Sequence, residues 1–237
     1  MGIKTKLRGL FASALLALTM AAPSQGFAVT NALYLTLDGS GSISASNWNL
    51  QLNGYVNALN TVFGGGGLYG NTAIGVSVFS SGVNQIFAMQ EINDATDLAL
   101  LTGAFTGLVQ PNGLTAIGDA INSASAAILA FEATYSSPIT NKVIDVSTDG
   151  GSNTGANPIT AANTALGNGI TTNCLGVGRG ANCNFETGFE VLAADFTAFE
   201  AALVKKLQKE LGVPEPGIAA LMAMGLLGFG FARRRSA

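Results

Sequence analysis

Ala32-Leu33-Tyr34-Leu35-Thr36-Leu37-Asp38-Gly39-Ser40-Gly41-Ser42 is the stretch on which the fold turns. Its first six residues form a compact apolar run closed by Asp-Gly, the pattern of a buried strand and its turn. Downstream, Trp48, Leu52, Tyr55, Val56, Leu59, Val62 and Phe63 recur at helical spacing after Ser46, read as the N-cap. Gly64 to Gly67 ends that helix and reads as a flexible turn rather than a phosphate cradle. Strands are expected at 73–79 and 83–89, the second an antiparallel hairpin partner of the first. Periodicity predicts helices at 94–108 and 116–131, a strand at 142–148, a short helix at 158–166 and a strand at 170–177. An edge strand at 189–193 and a helix at 195–211 complete the series. Strands separated by helices imply an α/β fold: a doubly wound, mostly parallel sheet with one antiparallel edge strand and helices on both faces. No internal repeat and no second core is evident.

In such sheets ligands gather beyond the carboxyl ends of the strands. Three oxygen-bearing segments fall there. Asp38-Gly39-Ser40-Gly41-Ser42 follows the first strand, Thr148-Asp149-Gly150 follows the fourth, and Gly113-Leu114-Thr115 opens the helix between them. Two acids and three hydroxyls make a hard-cation donor set, with Mg²⁺ or Mn²⁺ the natural occupant and Ca²⁺ an alternative. DGSGS, taken alone, is also a common turn.

The combination resembles the von Willebrand factor type A (vWA) family, whose metal-ion-dependent adhesion site (MIDAS) carries DxSxS, a distant Thr and a second Asp. The resemblance spans roughly residues 32–211 and implies the Rossmann-like vWA fold. By position it assigns the metal to Asp38, Ser40, Ser42, Thr115 and Asp149. It implies that the two serine hydroxyls and, depending on state, the threonine bind the ion directly. The acids then act through waters, and an acidic group of a partner completes the octahedron. Asp119, one helical turn beyond Thr115, either braces that loop or is a first-turn acid favoured by the helix dipole. Asp145 shares a strand face with Ser147 and Asp149, so it either supports the metal loops from behind or pairs with a buried donor. The wording of 143–150 and the late Cys pair look like a bacterial vWA subfamily of unknown function.

Composition narrows the function further. Of 237 residues, 48% are apolar and none is His, which excludes Ser-His-Asp and Cys-His catalysis, HExxH zinc proteases and every His-ligated metal site. The 31 glycines follow no three-residue period, which excludes collagen, and no GxxxxGK[ST] phosphate loop is present. Six of the 11 basic residues lie at the ends: Lys4, Lys6 and Arg8, then Arg233, Arg234 and Arg235. Five remain against 13 acids in between, a balance of about −8 that disfavours nucleic acid and favours cations.

The ends read as addresses. Residues 1–28 have a basic start, an apolar run from Leu10 to Ala22 and a Gly26-Phe27-Ala28 cleavage site, the form of a secretory signal removed before Val29. A buried N-terminal helix is the alternative. Val213-Pro214-Glu215-Pro216 cannot continue a helix; Gly217 to Ala232 then carries no charge, and three arginines follow. That order resembles the PEP-CTERM sorting signal of Gram-negative bacteria over 213–237. It implies a short transmembrane helix, removal by an exosortase-type protease, and delivery of the central domain (29–212) to the cell surface or matrix. An ordinary C-terminal anchor would also leave the domain outside the cytoplasm. In an exported protein, Cys174 and Cys183 are expected to form a disulfide rather than a reactive thiol pair. Gly176-Val177-Gly178-Arg179-Gly180 lacks full GxGxxG spacing and opens no helix, so it is not read as a dinucleotide loop.

An oxygen-only metal site without an evident general base points to a non-catalytic adhesion module that takes an acidic group of a protein or polysaccharide. The competing reading is a metal-dependent phosphoryl-transfer hydrolase, since an Asp after the first strand also begins aspartate-nucleophile phosphatases. Those need a second carboxylate at position 40, where Ser stands, and usually a Lys. A passive matrix component, in which the metal only ties loops together, is the third.

Overall fold

The computed structural model describes residues 29–135 and 138–213. The signal segment, the tail beyond Val213 and its expected membrane helix lie outside the described residues. Among the described residues no helix is long and apolar enough to cross a membrane.

Among the described residues six strands form one sheet: β1 (Asn31–Asp38), β2 (Thr72–Phe79), β3 (Val83–Glu91), β4 (Asn141–Thr148), β5 (Thr171–Val177) and β6 (Glu190–Ala193). Their order is β3-β2-β1-β4-β5-β6, all neighbours parallel except the β2–β3 pair. The mostly parallel sheet with an antiparallel edge is thus the one the sequence implies. β1 sits at its centre with almost every residue buried, as a strand covered on both faces must be.

Alternation along the strands sorts side chains between two apolar layers. Leu33, Leu35 and Leu37 meet α1 (Ala45–Phe63), α2 (Ala95–Gly103) and α5 (Phe199–Glu210). Ala32, Tyr34, Ile144 and Val146 meet α3 (Ile117–Glu132) and α4 (Pro158–Gly167).

Among the boundaries that differ from the sequence reading, three have a local reason. The cap of α1 is Ser44, whose hydroxyl accepts from Asn47 N, rather than Ser46. Helix α2 ends at Gly103 instead of 108, and the chain turns so that Leu108 O accepts from Trp48 Nε1 at 3.1 Å. Asp195 does not start α5. Its carboxylate accepts from Thr197 N and Ala198 N, forming a turn that delivers the chain to Phe199.

Candidate metal centre

Asp38 is the last residue of β1 and fully buried. Its Oδ1 accepts from Ser40 N at 2.8 Å and its Oδ2 from Thr148 Oγ1, at the end of β4, at 2.6 Å. Burial pushes its carboxyl above the usual range, the Asp149 charge adds to the rise, and the Ser40 and Thr148 hydrogen bonds oppose it. The turn after Asp38 runs too close to its neighbours for any side chain: a Cβ at Gly39 would lie 2.7 Å from Pro111 Cδ and 2.8 Å from Val78 Cγ1.

Hydrogen bonds clamp this loop from several elements. Gln51 Nε2 of α1 donates to Asp38 O at 2.8 Å, and Gln110 Nε2 donates to both Ser40 O and Ile43 O at 2.9 Å. Asn112 N donates to Gly39 O and Gly41 N to Gly113 O, both at 3.0 Å, zipping the aspartyl loop to the segment that carries Thr115. That segment is held in turn by the loop after β4. Thr115 N donates to Asn153 Oδ1 at 2.7 Å, while Thr115 O accepts from Asn153 N at 3.0 Å and Ser152 Oγ at 3.2 Å.

Three of the five expected ligands meet side chain to side chain, and Asp38 joins them through its bond from Ser40 N. Ser40 Oγ and Ser42 Oγ lie 3.0 Å apart, and Ser42 Oγ donates to Asp149 Oδ1 at 2.6 Å, across 107 residues of sequence. Ser40 is buried, Ser42 exposed and Asp149 half-buried, so the cluster opens at the rim of the sheet. Thr115, itself buried, joins through its main chain.

Asp119 and Asp145 go elsewhere. Asp119, in the first turn of α3, accepts from Ala156 N at 2.9 Å, so it braces the loop after β4 rather than the Thr115 loop. Asp145 takes the private-partner alternative: its Oδ1 lies 2.6 Å from Lys206 Nζ, both side chains wholly buried. Lys206 also donates to Glu210 Oε1 at 2.6 Å, which accepts from Asn173 Nδ2 at 2.9 Å. Burial and the Asp145 charge push Glu210 up to about 8, against the pull of Lys206 and Asn173. Nearby, Tyr55 donates to Ser147 Oγ at 2.9 Å.

Sequence reasoning missed Gln51, Gln110, Thr148 and Asn153 as supports of the site. Only Thr148, adjacent to Asp149 in the Thr-Asp-Gly turn, carried a local signal. The others act on main-chain groups or through a single amide oxygen, which no residue pattern encodes.

Chemically the cluster offers oxygen alone, hydroxyls beside two carboxylates. Among the described residues no Lys or Arg forms an ion pair with Asp38 or Asp149. No group of three or more His, Cys, Asp or Glu gathers among them either, so any cation here depends on hydroxyls as much as on acids. Such a donor set fits a hard divalent ion and not a soft one. Beside Asp149 opens a groove of about 420 Å³, walled by the loop after β5 and the Asp195–Thr197 turn. Cys174 in β5 and Cys183 in that loop form a disulfide, with their Cα atoms 5.7 Å apart.

Solved structures share this architecture. The proximal thread matrix protein 1 of the mussel byssus, in a structure whose MIDAS motif holds zinc, matches with a TM-score of 0.63 and 22% identity, over 76% of this chain and 48% of that one. A von Willebrand factor type A protein from Catenulispora acidiphila gives 0.61 and 21%, over 78% and 43%. The pilus adhesin SpaC of Lactobacillus rhamnosus GG gives 0.62 and 16%, over 78% and 31%. The chain thus spans half or less of these proteins, and at such identities the likeness establishes the fold, which is vWA-like. No curated protein matches the sequence. Residues 212–235 match the PEP-CTERM protein-sorting motif, which indicates an exported, surface-sorted protein. Residues 28–215 match the family described as "Protein of unknown function (DUF1194)", and with most of its length accounted for, the chain belongs to that family.

Proposed function

We propose that the chain is an exported, non-catalytic vWA module that captures a partner through a divalent cation, Mg²⁺ above Mn²⁺ or Ca²⁺, held at the rim of its sheet. Ser40 and Ser42 supply hydroxyls, Thr115 a third, and Asp38 and Asp149 the negative charge. The metal gives an acidic domain a local positive anchor, to which an acidic group of a protein or polysaccharide binds. One observation carries the reading: Ser42 links Ser40 to Asp149, beside a buried Asp38, and no basic residue among the described ones pairs with either acid. The zinc-holding MIDAS of the mussel protein supports it by analogy of fold. The tail, on this reading, anchors the chain briefly in the membrane until an exosortase-type protease removes it and the 29–212 domain passes to the surface or matrix.

Phosphoryl transfer is the weaker reading because Ser40 stands where an aspartate-nucleophile enzyme needs its acid. A pull-down from cell-surface extracts, run with Mg²⁺ and again with EDTA, tests the proposal. Partner capture is expected with Mg²⁺ only, and to vanish in Asp38→Ala. Capture indifferent to chelator and to that substitution would refute it, and Mg²⁺-dependent phosphatase turnover lost in Asp38→Asn would favour the enzyme. Metal-dependent stabilisation without capture would leave a passive matrix role.

A further inference from the structure

The groove beside Asp149 contains Arg179, the single arginine among the described residues. Four contacts hold its loop over the metal loops. Gly178 N donates to Ala193 O at 2.9 Å, and Asn182 N donates to Gly150 O at 3.2 Å. A Cβ at Gly180 would sit 2.9 Å from Asp149 O, so the backbone there lies directly on the Asp149 turn. The disulfide ties Cys183 back to β5. Arg179 is therefore exposed on a braced loop, and among the described residues it makes no ion pair. Of the other four described basic residues, Lys142 and Lys206 are paired with acids and Lys209 lies over the Phe189 ring, 3.6 Å from its centroid.

The rest of the lining sets the chemistry of the occupant. Asp195 takes its donors, Thr197 N, Thr197 Oγ1 and Ala198 N, on Oδ1 alone, leaving Oδ2 to accept from a ligand. The Thr197 hydroxyl and those N–H groups hold its carboxyl below the usual range, so this wall is an anion at neutral pH. Asn47 adds an amide. One guanidinium sharing a groove with a carboxylate and an amide does not suit a run of bare acids, which Asp195 would repel. It suits a ring that carries one carboxylate among several hydroxyls: the carboxylate goes to the planar guanidinium and the hydroxyls donate to Asp195 and Asn47.

Building on the metal reading above, we infer that Arg179 and the groove it shares with Asp149 form a second anchor for a uronic-acid polysaccharide. One carboxylate of that chain binds the metal and the next engages Arg179.

The test uses the full-length chain in detergent with trigalacturonate as probe, neutral maltotriose and tri-aspartate as controls, and Mg²⁺-induced change in melting temperature as a separate readout. Wild type is expected to bind trigalacturonate in Mg²⁺ at least tenfold more tightly than either control. Arg179→Ala should lose at least tenfold in that affinity while keeping the full Mg²⁺-induced rise in melting temperature. Arg179→Lys, which keeps the charge but not the fork, should fall between them. Unchanged trigalacturonate affinity in Arg179→Ala, with the Mg²⁺ response intact, overturns this inference and leaves the metal reading standing. Equal or tighter binding of tri-aspartate overturns the polysaccharide in favour of an acidic peptide, and equal binding of maltotriose overturns the role of the carboxylate. A wild type whose melting ignores Mg²⁺, yet whose trigalacturonate binding still depends on Arg179, refutes the metal reading and supports the Arg179 subsite.

Discussion

Strand β4 serves two acidic sites that solve the same electrostatic problem in opposite ways. Asp145, inside the strand, shares Lys206 with Glu210 under the sheet, where all three side chains are excluded from water. Asp149, four positions on, shares the rim with Asp38 and has no basic partner among the described residues. Buried acids need a compensating cation or a proton. The interior site uses both, a lysine from α5 and a proton on Glu210, whereas the rim meets its acids with hydroxyls and N–H groups, Asp38 buried behind a half-buried Asp149 and an exposed Ser42. A charge neutralised from within stabilises the fold; a charge left for solvent to neutralise is available for binding.

The sharpest way to break this contrast is Lys206→Ala, which leaves the buried Asp145 carboxylate without its cation and Glu210 Oε1 without its donor, and is expected to cost about 3–5 kcal/mol. For a domain of this size that lowers the melting temperature by roughly 10 °C or more, read by circular dichroism. Adding Mg²⁺ at about a hundred times its dissociation constant should stabilise wild type by about 2.7 kcal/mol. In Ser42→Ala that rise should disappear while the metal-free melting temperature stays close to wild type, because Ser42 is exposed. Paired Cys174→Ala and Cys183→Ala changes open a short loop and should cost about 2–3 kcal/mol in the chain-entropy account. They should leave the Mg²⁺ response in place.

The smallest effect concerns the proton on Glu210. Its carboxyl has an ordinary value of 4.5 and is pushed up to about 8 in the fold. Between these values the folded chain retains a proton that the unfolded chain has released. Stability from this group is therefore fully present below about 4.5, falls as pH rises toward about 8 and levels off above. Glu210→Gln should flatten that part of the melting-temperature profile relative to wild type, and an unchanged slope would remove Glu210 from the account.

Much of this architecture could be read before the structure, because the information is local. The run from Ala32 to Leu37 closed by Asp-Gly marks β1, and the same apolar-then-acidic pattern marks β4. Four metal candidates come together because each follows a strand or lies in the first aspartyl turn, positions that the topology places at one edge. What stayed hidden is relational. Nothing near Asp145 indicates Lys206, 61 positions away, and hence which face of the sheet would satisfy it. Gln110 clamps two carbonyls of the aspartyl loop only because chain folding brings residue 110 there. The expectation for Ser46 failed over two residues, since either serine can cap a helix and the turn geometry chose Ser44.

The strands also fix which way the module faces. Asn31 opens β1 beside Asn141, whose side chain donates to Glu210 O at 2.7 Å, and Thr30 N bonds Asn71 O. Entry to the domain and exit from α5 therefore share one pole, about 25 Å of strand away from the aspartyl loop. The last described residue, Val213, therefore leaves from the blunt end, and an attachment made there would keep the rim with its acids and hydroxyls uncovered.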